Sequence, residues 1–407
     1  MAASRGTVTA QGGKVDMPDA HFPRLAGIPP YVLGAVDARK DELRAAGKEV
    51  YDFGLGNPDQ PSPAIAIAEL RAAALEGAQS RYQPSPGTKP LREAFARRWQ
   101  RRYGVTLDAD KEVVATIGSK EGIAHLALAV LGPGDVALAP DPCYPAHFFG
   151  PSFAGATVVG VPTGPGRDAL ADLAHAAETA PRPPKLAIVN FPHNPTSATV
   201  DEKTMREIVR WAERRDLWLV SDLAYTDIAF DGKPSPSALV VDGARARTVE
   251  FFTLSKSYDM PGWRVGFCAG NEQLVGALRR IKGYLDYGIY GPVQRAATRV
   301  LDECDDHARA ASDRYLRRAE ALVKGLAKAG WPVEMPKASM FVWAPLPAKF
   351  AAEGSVKFAL RLLDGAGVAV APGTGFGAGG EGYVRFALVE DEARTAAACA
   401  RIAGVLA

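Results

Sequence analysis

The sequence contains few cysteines and histidines, and those it has are scattered. The four cysteines, Cys143, Cys268, Cys304 and Cys399, show no Cys-x-x-Cys spacing, so neither a disulfide framework nor a zinc site is expected. The six histidines form no His-Glu-x-x-His or His-x-His cluster, and we predict no metal site. This cysteine usage suits a reducing compartment, and the expected location is the cytoplasm.

The chain also lacks long apolar runs and an excess of charge of one sign. No apolar run approaches the ~20 residues that span a bilayer. The first residues, MAASRGTVTAQGGKVD, lack the apolar core of a secretory signal and are typical of a flexible polar arm or a weak transit peptide. With 48 basic and 46 acidic residues the formal net charge is +2, which gives no reason to expect nucleic acid or a membrane as partner.

What the chain does contain is a repeated alternation of strands and helices. Between Glu112 and Phe267, short apolar segments such as EVVATI and KLAIVNF alternate with helical segments. This pattern predicts an α/β fold, with a mostly parallel sheet and helices on both faces. After Gly291, the strands ASMFVWAPL and GYVRFALV bracket the helix SVKFALRLLDGAG, which indicates a smaller α+β domain.

The length of 407 residues favours two domains rather than one. We predict a flexible N-terminal arm over residues 1–20 and a segment over 21–55 that joins the small domain. The large domain is predicted over 56–290 and the small C-terminal domain over 291–407.

Two glycine-rich segments are predicted as loops. VYDFGLGNPDQPSP, from Val50 to Pro63, is dense in Gly and Pro. GTGFGAGG, from Gly373 to Gly380, suggests a nucleotide-binding turn, but the segment after it is the strand YVRFAL rather than a helix. We therefore expect a flexible loop there, and a nucleotide-dependent oxidoreductase is disfavoured.

Polar side chains recur where the predicted strands end. In open α/β sheets, ligands bind beyond the carboxyl ends of the strands. The polar positions at these ends are Ser119, Lys120, Asp141 to Tyr144, Asn194, Asp222, Tyr225, Ser255, Lys256 and Arg264. Packing alone does not explain such a row, so it is the predicted ligand site.

The stretch FFTLSKSYDMPGWRVGF places one of these residues, Lys256, at the end of an apolar run. Lysine is almost never fully buried without a partner, so its side chain either reaches water or binds something. IGSKEG precedes an apolar helix and offers an anion site at the helix N-terminus, unless Ser119 is simply an N-cap. Arg264 would complement a phosphate there, or else form an internal salt bridge.

Other residues at these strand ends also allow two interpretations. Asp222 either caps local structure or keeps a ring nitrogen protonated, and Tyr225 would hydrogen-bond a phenolate oxygen on the same ring. Asn194 would do the same or simply start an Asn-Pro turn. Tyr144 would stack on a planar ring or fill a loop. Together these residues offer the groups that pyridoxal 5′-phosphate requires. They are an amine, an anion site, an acid for a pyridinium nitrogen and donors to a phenolate oxygen.

The chain resembles the fold-type I, class I/II pyridoxal-phosphate aminotransferases from about Phe22 to Leu406. The matching motifs are GLGNPD, YQPSPG, GSKEG, DPCYP, FPHNPT, SDLAY, SKSYDMPGWRVG and YVRFAL. It is especially similar to bacterial alanine (glutamate–pyruvate) aminotransferases, with LL-diaminopimelate aminotransferases as near relatives. The resemblance implies ping-pong transfer of an amino group between an L-amino acid and a 2-oxo acid, with alanine or glutamate and pyruvate or 2-oxoglutarate as the expected substrates.

The resemblance also implies roles around the cofactor. Lys256 would form the Schiff base and move the proton, Asp222 would pair with the pyridine nitrogen, and Tyr225 would donate to the ring oxygen. Asn194 would share that last role, and Tyr144 would stack on the ring. The residues implied at the phosphate are Ser119, Lys120, Ser255, Arg264 and, from a neighbouring subunit, Tyr82. A homodimer with shared active sites is therefore implied.

The remaining implied roles concern the substrate. Arg385, in YVRFAL, would bind the α-carboxylate, and the backbone of Gly54 would contact it. The other residues expected on the substrate side are Asn194, Tyr31 and Lys120. We hypothesise that Lys120 meets a distal carboxylate such as that of glutamate.

The substrate is less constrained than the reaction type. Some aspartate aminotransferases use a partner-chain arginine from the region of YLDYGIYGP, but here that region offers Tyr284, Tyr287 and Tyr290 and no arginine. Strict aspartate specialism is thus disfavoured. The alternatives are an aminotransferase for LL-diaminopimelate, aspartate, methionine or aromatic amino acids, and a C–S β-lyase of the same fold. A transcription regulator would need a DNA-binding module, for which the ~20 residues before Phe22 are too few.

Overall fold

A computed structural model describes residues 33–407, so Tyr31 and the predicted N-terminal arm lie outside the described residues. The helices are α1 (Leu33–Ala45), α2 (Ala64–Ala74), α3 (Lys89–Tyr103), α4 (Ser119–Val130), α5 (Pro145–Phe153), α6 (Ala169–Thr179), α7 (Glu202–Arg214), α8 (Leu254–Ser257), α9 (Glu272–Leu285), α10 (Gly291–Glu303), α11 (Asp305–Lys328), α12 (Ser355–Ala366) and α13 (Glu392–Leu406). The strands are β1 (Tyr51–Phe53), β2 (Val113–Thr116), β3 (Val136–Asp141), β4 (Thr157–Pro162), β5 (Leu186–Asn190), β6 (Trp218–Asp222), β7 (Thr248–Thr253), β8 (Gly266–Gly270), β9 (Phe341–Pro345), β10 (Val368–Pro372) and β11 (Tyr383–Ala387).

The larger sheet has the strand order β2-β8-β7-β6-β5-β3-β4 in the described part of the chain. Its neighbouring strands pair in parallel from β7 to β4, while β8 runs antiparallel to both β2 and β7. The residues of β2, β5 and β7 are buried throughout, as expected for a sheet covered on both faces.

Helices cover both faces of this sheet, as neighbouring residues of one strand show. On β5, Ile188 packs in a core with residues of α4 and α9. The next residue, Val189, packs in a different core with residues of α6 and α7. Because successive side chains of a strand point to opposite faces, the two cores lie on opposite sides. The predicted mostly parallel α/β sheet is confirmed.

The smaller sheet has the order β1-β10-β11-β9 among the described residues. β1 is parallel to β10, and the other pairs are antiparallel. The prediction of a loop from Val50 was wrong for Tyr51–Phe53, which form β1. Tyr51 and Phe53 are buried and Asp52 is half-buried, so the Gly- and Pro-rich part begins only after this strand.

The core around the small sheet continues into α11. Ala297 and Val300 on α10 share a core with Leu91 of α3. Farther along, Ala311 of α11 packs in the core of the small sheet, as does Tyr315. Helix α10 thus packs with α3 and the later part of α11 packs with the small sheet, and the predicted division into domains near residue 290 remains a proposal.

The second glycine-rich segment is folded into two short 3-10 turns, Gly373–Phe376 and Ala378–Gly380. A Cβ on Gly373 would lie 1.8 Å from the carbonyl oxygen of Gly380, so the two turns touch and glycine is required. No helix in residues 33–407 combines the length and apolar character needed to cross a bilayer.

Candidate active site

A cavity of about 330 Å³ opens at the carboxyl edge of the large sheet, against residues of the small sheet. Ten of the sequence-predicted residues line it: Ser119, Lys120, Tyr144, Asn194, Asp222, Tyr225, Ser255, Lys256, Arg264 and Arg385. The sheet brings them to one edge although they are spread over more than 260 positions of the sequence.

One row of the sheet explains how three of these segments meet. Thr116 at the end of β2 pairs with Gly266 at the start of β8, and Gly266 pairs in turn with Thr253 at the end of β7. Because β8 runs the other way, its first residues lie at the same edge as the last residues of its neighbours. Ser119, Arg264 and Ser255 are each within three residues of this row.

Lys256 lies in the single helical turn α8, directly after β7. The Thr253 hydroxyl oxygen accepts a hydrogen bond from the Ser255 backbone N–H at 3.2 Å and so starts this turn. The Lys256 Nζ donates to the carbonyl oxygen of Gly56 at 2.7 Å. Burial and the nearby positive charges of Arg385 and Arg264 lower the pKa of Lys256 to about 8. A larger fraction of this amine than of an ordinary lysine is thus neutral, and a neutral amine is the form that attacks a carbonyl.

Asp222, at the end of β6, is a buried carboxylate supported by its neighbours. Its Oδ1 accepts from the Ala224 backbone N–H at 3.0 Å, and its Oδ2 lies 2.9 Å from Nε2 of the fully buried His147. His147 follows Tyr144 by three residues, on the first turn of α5. These contacts fix the carboxylate where it can face a cationic ring nitrogen.

A chain of side-chain hydrogen bonds joins Tyr225 and Asn194, the predicted donors to the ring oxygen, to Arg385. Asn194 Nδ2 donates to the Tyr225 hydroxyl at 3.2 Å, and Arg385 Nη1 donates to Asn194 Oδ1 at 2.8 Å. Burial raises the pKa of Tyr225, which keeps its hydroxyl protonated and able to donate. The backbone of Asn194 is held by the Asn190 side chain, whose Oδ1 accepts a hydrogen bond from the Asn194 backbone N–H at 3.0 Å.

Arg385 projects from the small sheet into the same cavity. Its Nη2 donates to the carbonyl oxygen of Gly54 at 2.9 Å, so the two residues expected at the substrate α-carboxylate lie next to each other. The guanidinium carbon lies 4.2 Å from the ring centroid of Phe341 and 4.5 Å from that of Phe376. The arginine is 4% exposed, and such a buried, oriented guanidinium is suited to bidentate binding of a carboxylate.

The opposite end of the cavity is suited to a phosphate group. α4 begins at Ser119, and its N-cap is Gly118, with φ of +76°, so the alternative that Ser119 is the N-cap is wrong. A Cβ on Gly118 would lie 2.3 Å from Nη2 of Arg264, which shows how closely the guanidinium approaches the helix N-terminus. Backbone N–H groups and a guanidinium together attract an anion.

Arg264 does not form the internal salt bridge that the sequence left open. Its Nη1 donates to the Pro261 carbonyl at 2.9 Å and its Nη2 to the Ile117 carbonyl at 3.3 Å. Within the described part of the chain, its guanidinium thus donates to these carbonyl oxygens rather than to a carboxylate. Two neutral partners leave its positive charge uncompensated, which is what a phosphate would require.

Two further predicted residues lie at the rim. Lys120 is exposed on the first turn of α4, and its Nζ lies 5.9 Å from the ring centroid of Tyr144. Tyr144 in turn packs edge-on against His147, with centroids 5.7 Å apart. The tyrosine ring thus borders the cavity beside the imidazole that supports Asp222.

Tyr82 is the one described member of the predicted set with no contact to the cavity or to Arg385. It is 85% exposed, and its ring packs on that of Tyr287 with centroids 4.7 Å apart. The other large exposed apolar residues beside Tyr287 in sequence are Tyr284, Leu285 and Tyr290. We refer to Tyr82, Tyr284, Leu285, Tyr287 and Tyr290 as the aromatic patch.

Sequence reasoning missed several residues of the site. Asn190 ends β5, so the rule of polar residues at strand ends would have found it. His147 gave the weaker signal of a polar residue one helical turn after Tyr144. Phe341 and Phe376 gave no signal, because their role depends on where Arg385 lies.

The donor set fits pyridoxal 5′-phosphate. Four kinds of group surround one cavity. They are a lysine with a lowered pKa, a buried carboxylate, hydroxyl and amide donors, and an uncompensated arginine at a helix N-terminus. These are the partners required by an aldehyde, a pyridinium nitrogen, a phenolate oxygen and a phosphate, respectively.

Comparison with known proteins agrees with this geometry. The family "Aminotransferase class I and II" matches residues 48–402. The glutamate-pyruvate aminotransferase AlaC of Escherichia coli is 46% identical over 93% of this chain and 92% of its own length. An LL-diaminopimelate aminotransferase of Gloeobacter violaceus is 40% identical over 93% and 96% of the two chains.

A solved structure shows the same fold. The substrate-bound structure of BacF from Bacillus subtilis superposes with a TM-score of 0.88 at 30% identity and covers 95% of this chain and 98% of that chain. The family match, the similar sequences and the cavity point to one conclusion. This chain belongs to the class I and II aminotransferases and is a pyridoxal-phosphate-dependent transaminase acting on amino acids and 2-oxo acids.

Proposed function

We propose that this enzyme transfers the amino group between L-alanine or L-glutamate and the 2-oxo acids pyruvate and 2-oxoglutarate. The observation that carries the assignment of the reacting group is the Lys256 amine, whose pKa is lowered to about 8. It lies in one cavity with Asp222 and Arg385. Bound pyridoxal 5′-phosphate supplies an aldehyde for amino groups and a ring that accepts electrons when the substrate Cα loses its proton.

The residues of the chain perform the steps around that chemistry. Lys256 in its neutral form would take the proton from the substrate Cα and pass it to the cofactor carbon that receives the amino group. Asp222, held by His147 at 2.9 Å, would keep the ring nitrogen of the cofactor protonated. Arg385 binds the α-carboxylate of the substrate and so orients Cα toward the lysine.

Support for alanine and glutamate comes from two directions. The glutamate-pyruvate aminotransferase of Escherichia coli is 46% identical. Lys120 lies on the cavity rim with an exposed side chain, so we propose that it meets the distal carboxylate of glutamate or 2-oxoglutarate. The segment Tyr284–Pro292 carries no arginine that a neighbouring subunit would receive for this purpose.

A second candidate substrate is LL-diaminopimelate, because an aminotransferase named for it is 40% identical. The deciding experiment measures kcat/KM for a panel of donors that includes alanine, glutamate, aspartate, methionine, phenylalanine and LL-diaminopimelate, with pyruvate and 2-oxoglutarate as acceptors. The expected result is the highest value for alanine with 2-oxoglutarate. A higher value for LL-diaminopimelate would replace the proposal. Pyruvate and ammonia formed from cystathionine would instead indicate a C–S β-lyase.

The role of Lys120 has its own test. Lys120→Ala should raise KM for glutamate and 2-oxoglutarate about tenfold, through loss of one charged contact, and leave KM for alanine within about twofold. Lys120→Arg is the matched control that keeps the charge. If KM for alanine rises as much as KM for glutamate, the residue serves the cofactor phosphate instead.

We further propose a homodimer with shared sites, in which Tyr82 reaches the phosphate of the neighbouring active site. The aromatic patch supports this, because apolar side chains exposed together on a surface are typical of association surfaces. Light scattering should give twice the chain mass of 43.1 kDa. Tyr82→Phe should weaken cofactor binding without changing the mass, and an unchanged cofactor affinity would contradict the shared site.

A further inference from the structure

The glycine-rich segment Gly373–Gly380 has no part in the cofactor contacts described above, yet it lies against the cavity. Gly375 and Phe376 both line that cavity. Phe376 is only 5% exposed, although it is carried on a segment between two strands. A large buried ring on a turn needs something that holds the turn in place.

Two hydrogen bonds hold this segment to the large domain. The Cys143 backbone N–H donates to the Phe376 carbonyl at 2.7 Å, and the Gly379 backbone N–H donates to Asp141 Oδ1 at 3.0 Å. Asp141 ends β3, and Cys143 precedes the predicted stacking residue Tyr144. The turn from the small domain therefore rests on the loop that borders the cofactor side of the cavity.

The glycines permit this close approach. A Cβ on Gly377 would lie 2.5 Å from Asp141 Oδ1, and one on Gly379 would lie 2.9 Å from the Asp141 carbonyl oxygen. Gly377 also has φ of +121°, a conformation that other residues rarely adopt. The glycine-rich pattern thus serves contact between the domains rather than a nucleotide.

The consequence of this contact is the position of the Phe376 ring. It lies 4.5 Å from the Arg385 guanidinium carbon and packs edge-on against Trp343, with centroids 6.1 Å apart. A ring over a guanidinium attracts its charge and limits its rotation. Bidentate carboxylate binding uses N–H groups in the guanidinium plane, so the angle of that plane decides how well a carboxylate fits.

We propose that Phe376, held by the Asp141–Gly379 contact, is a positioning residue that fixes the Arg385 guanidinium plane for the α-carboxylate of the substrate. The inference rests on the proposed role of Arg385. It assigns a purpose to the segment GTGFGAGG, and it makes the small domain contribute substrate affinity through the loop that carries Cys143.

The experiment compares Phe376→Leu, which removes the ring, with Phe376→Tyr, which keeps it. Calorimetry on the cofactor-loaded enzyme measures the affinity for glutarate, a glutamate analogue without an amino group, and for glutaramide, which has no carboxylate. We expect Phe376→Leu to weaken glutarate binding about tenfold, with Phe376→Tyr near the wild-type value. KM for alanine should rise by a similar factor while kcat stays within about threefold, because the reacting groups are untouched.

An unchanged glutarate affinity in Phe376→Leu overturns the inference, and so does an equal loss for glutaramide. If Phe376→Leu does not fold, Asp141→Ala is the deciding variant, because it removes the acceptor of the Gly379 N–H. We expect Asp141→Ala to weaken glutarate binding as well. Unchanged binding in Asp141→Ala also overturns the inference. The proposed function fails separately, if the wild-type enzyme transfers no amino group from any donor.

Discussion

Lys282 is fully buried and Lys256 is half-buried, and the surroundings of the two side chains differ in the sign of charge. The Lys282 ammonium, on α9, lies 3.1 Å from Glu121 and 3.0 Å from Asp286. The Lys256 ammonium instead donates to the backbone carbonyl of Gly56 at 2.7 Å. Burial and, after it, the positive charges of Arg385 and Arg264 lower its pKa.

The difference shows which of the two lysines is structural. Glu121, His125 and Asp286 place their side-chain oxygen and nitrogen atoms within 4.8 Å of one another, and the Lys282 ammonium supplies positive charge to this cluster. The Glu121 carboxylate also accepts a hydrogen bond from the Ile117 backbone N–H at 2.7 Å, so the cluster stabilises the turn before α4. Removing the cation from a buried, paired cluster destabilises a fold, whereas desolvation and like charges favour the neutral, reactive form of a lysine.

The strongest test of this contrast removes the reacting amine. Lys256→Ala should lower kcat by at least about 10³-fold, because it removes both the nucleophile and the proton carrier. Borohydride reduction followed by peptide mass mapping should find no cofactor at residue 256. Circular dichroism provides the control that the fold persists. A cofactor still fixed at another lysine with full turnover would contradict the assignment.

The next test removes the paired amine. Lys282→Met should lower the free energy of unfolding by about 3 kcal/mol, because it leaves two carboxylates close together and largely buried without their cation. Urea unfolding of the cofactor-loaded enzyme measures this loss. Cofactor should remain attached at Lys256. A stability equal to that of the wild type would show that Lys282 does not act as the structural partner.

Lys256→Met in the cofactor-free protein should have the opposite effect on stability. We expect it to raise the free energy of unfolding by about 2 kcal/mol at pH 7, with allowance for partial exposure of the side chain. The pKa of about 8 lies below the ordinary 10.5, so the charged lysine destabilises the folded state below pH 8. This penalty is lost as the pH rises from about 8 through 10.5. Urea unfolding at pH 7 and pH 10 should therefore show a smaller gain at pH 10; a loss of stability at pH 7 would contradict the lowered pKa.

The smallest effect concerns reactivity. Reductive methylation of Lys256 in the cofactor-free protein should accelerate roughly tenfold between pH 7 and pH 9 and then level off, since its pKa is about 8. Peptide mapping follows each lysine separately, so Lys282 is an internal comparison that should react slowly. A rate for Lys256 that keeps rising beyond pH 10 would indicate an ordinary lysine.

The sequence predicted those parts of the fold that depend on local apolar pattern. Strands such as β5 and β7 are fully buried runs, and their alternation with helices suffices to infer the sheet. β1 was missed because it has three residues and gains its partner through pairing of Tyr51 with Val368, far away in the sequence. A strand of that length carries no periodicity of its own.

The residues of the candidate site also fall into those that a local pattern predicts and those that it does not. Asp222, Lys256 and Arg264 stand at strand ends and were predicted because chain direction brings those ends together. His147 supports Asp222 from 75 positions away, and Phe376 lies over Arg385 on glycine-rich turns that contact Asp141. Such contacts arise from tertiary packing, which no local pattern encodes.

The reversed direction of β8 has a consequence for the inheritance of this enzyme. Because β7 and β8 form an antiparallel pair, the amine proposed to react with the cofactor aldehyde and the arginine suited to the phosphate lie eight positions apart on one hairpin, at Lys256 and Arg264. Recombination between homologous genes would therefore transmit Lys256 and Arg264 together. A crossover inside this hairpin would instead join halves with separate histories, and chimeras cut there should be the least productive of a shuffled library.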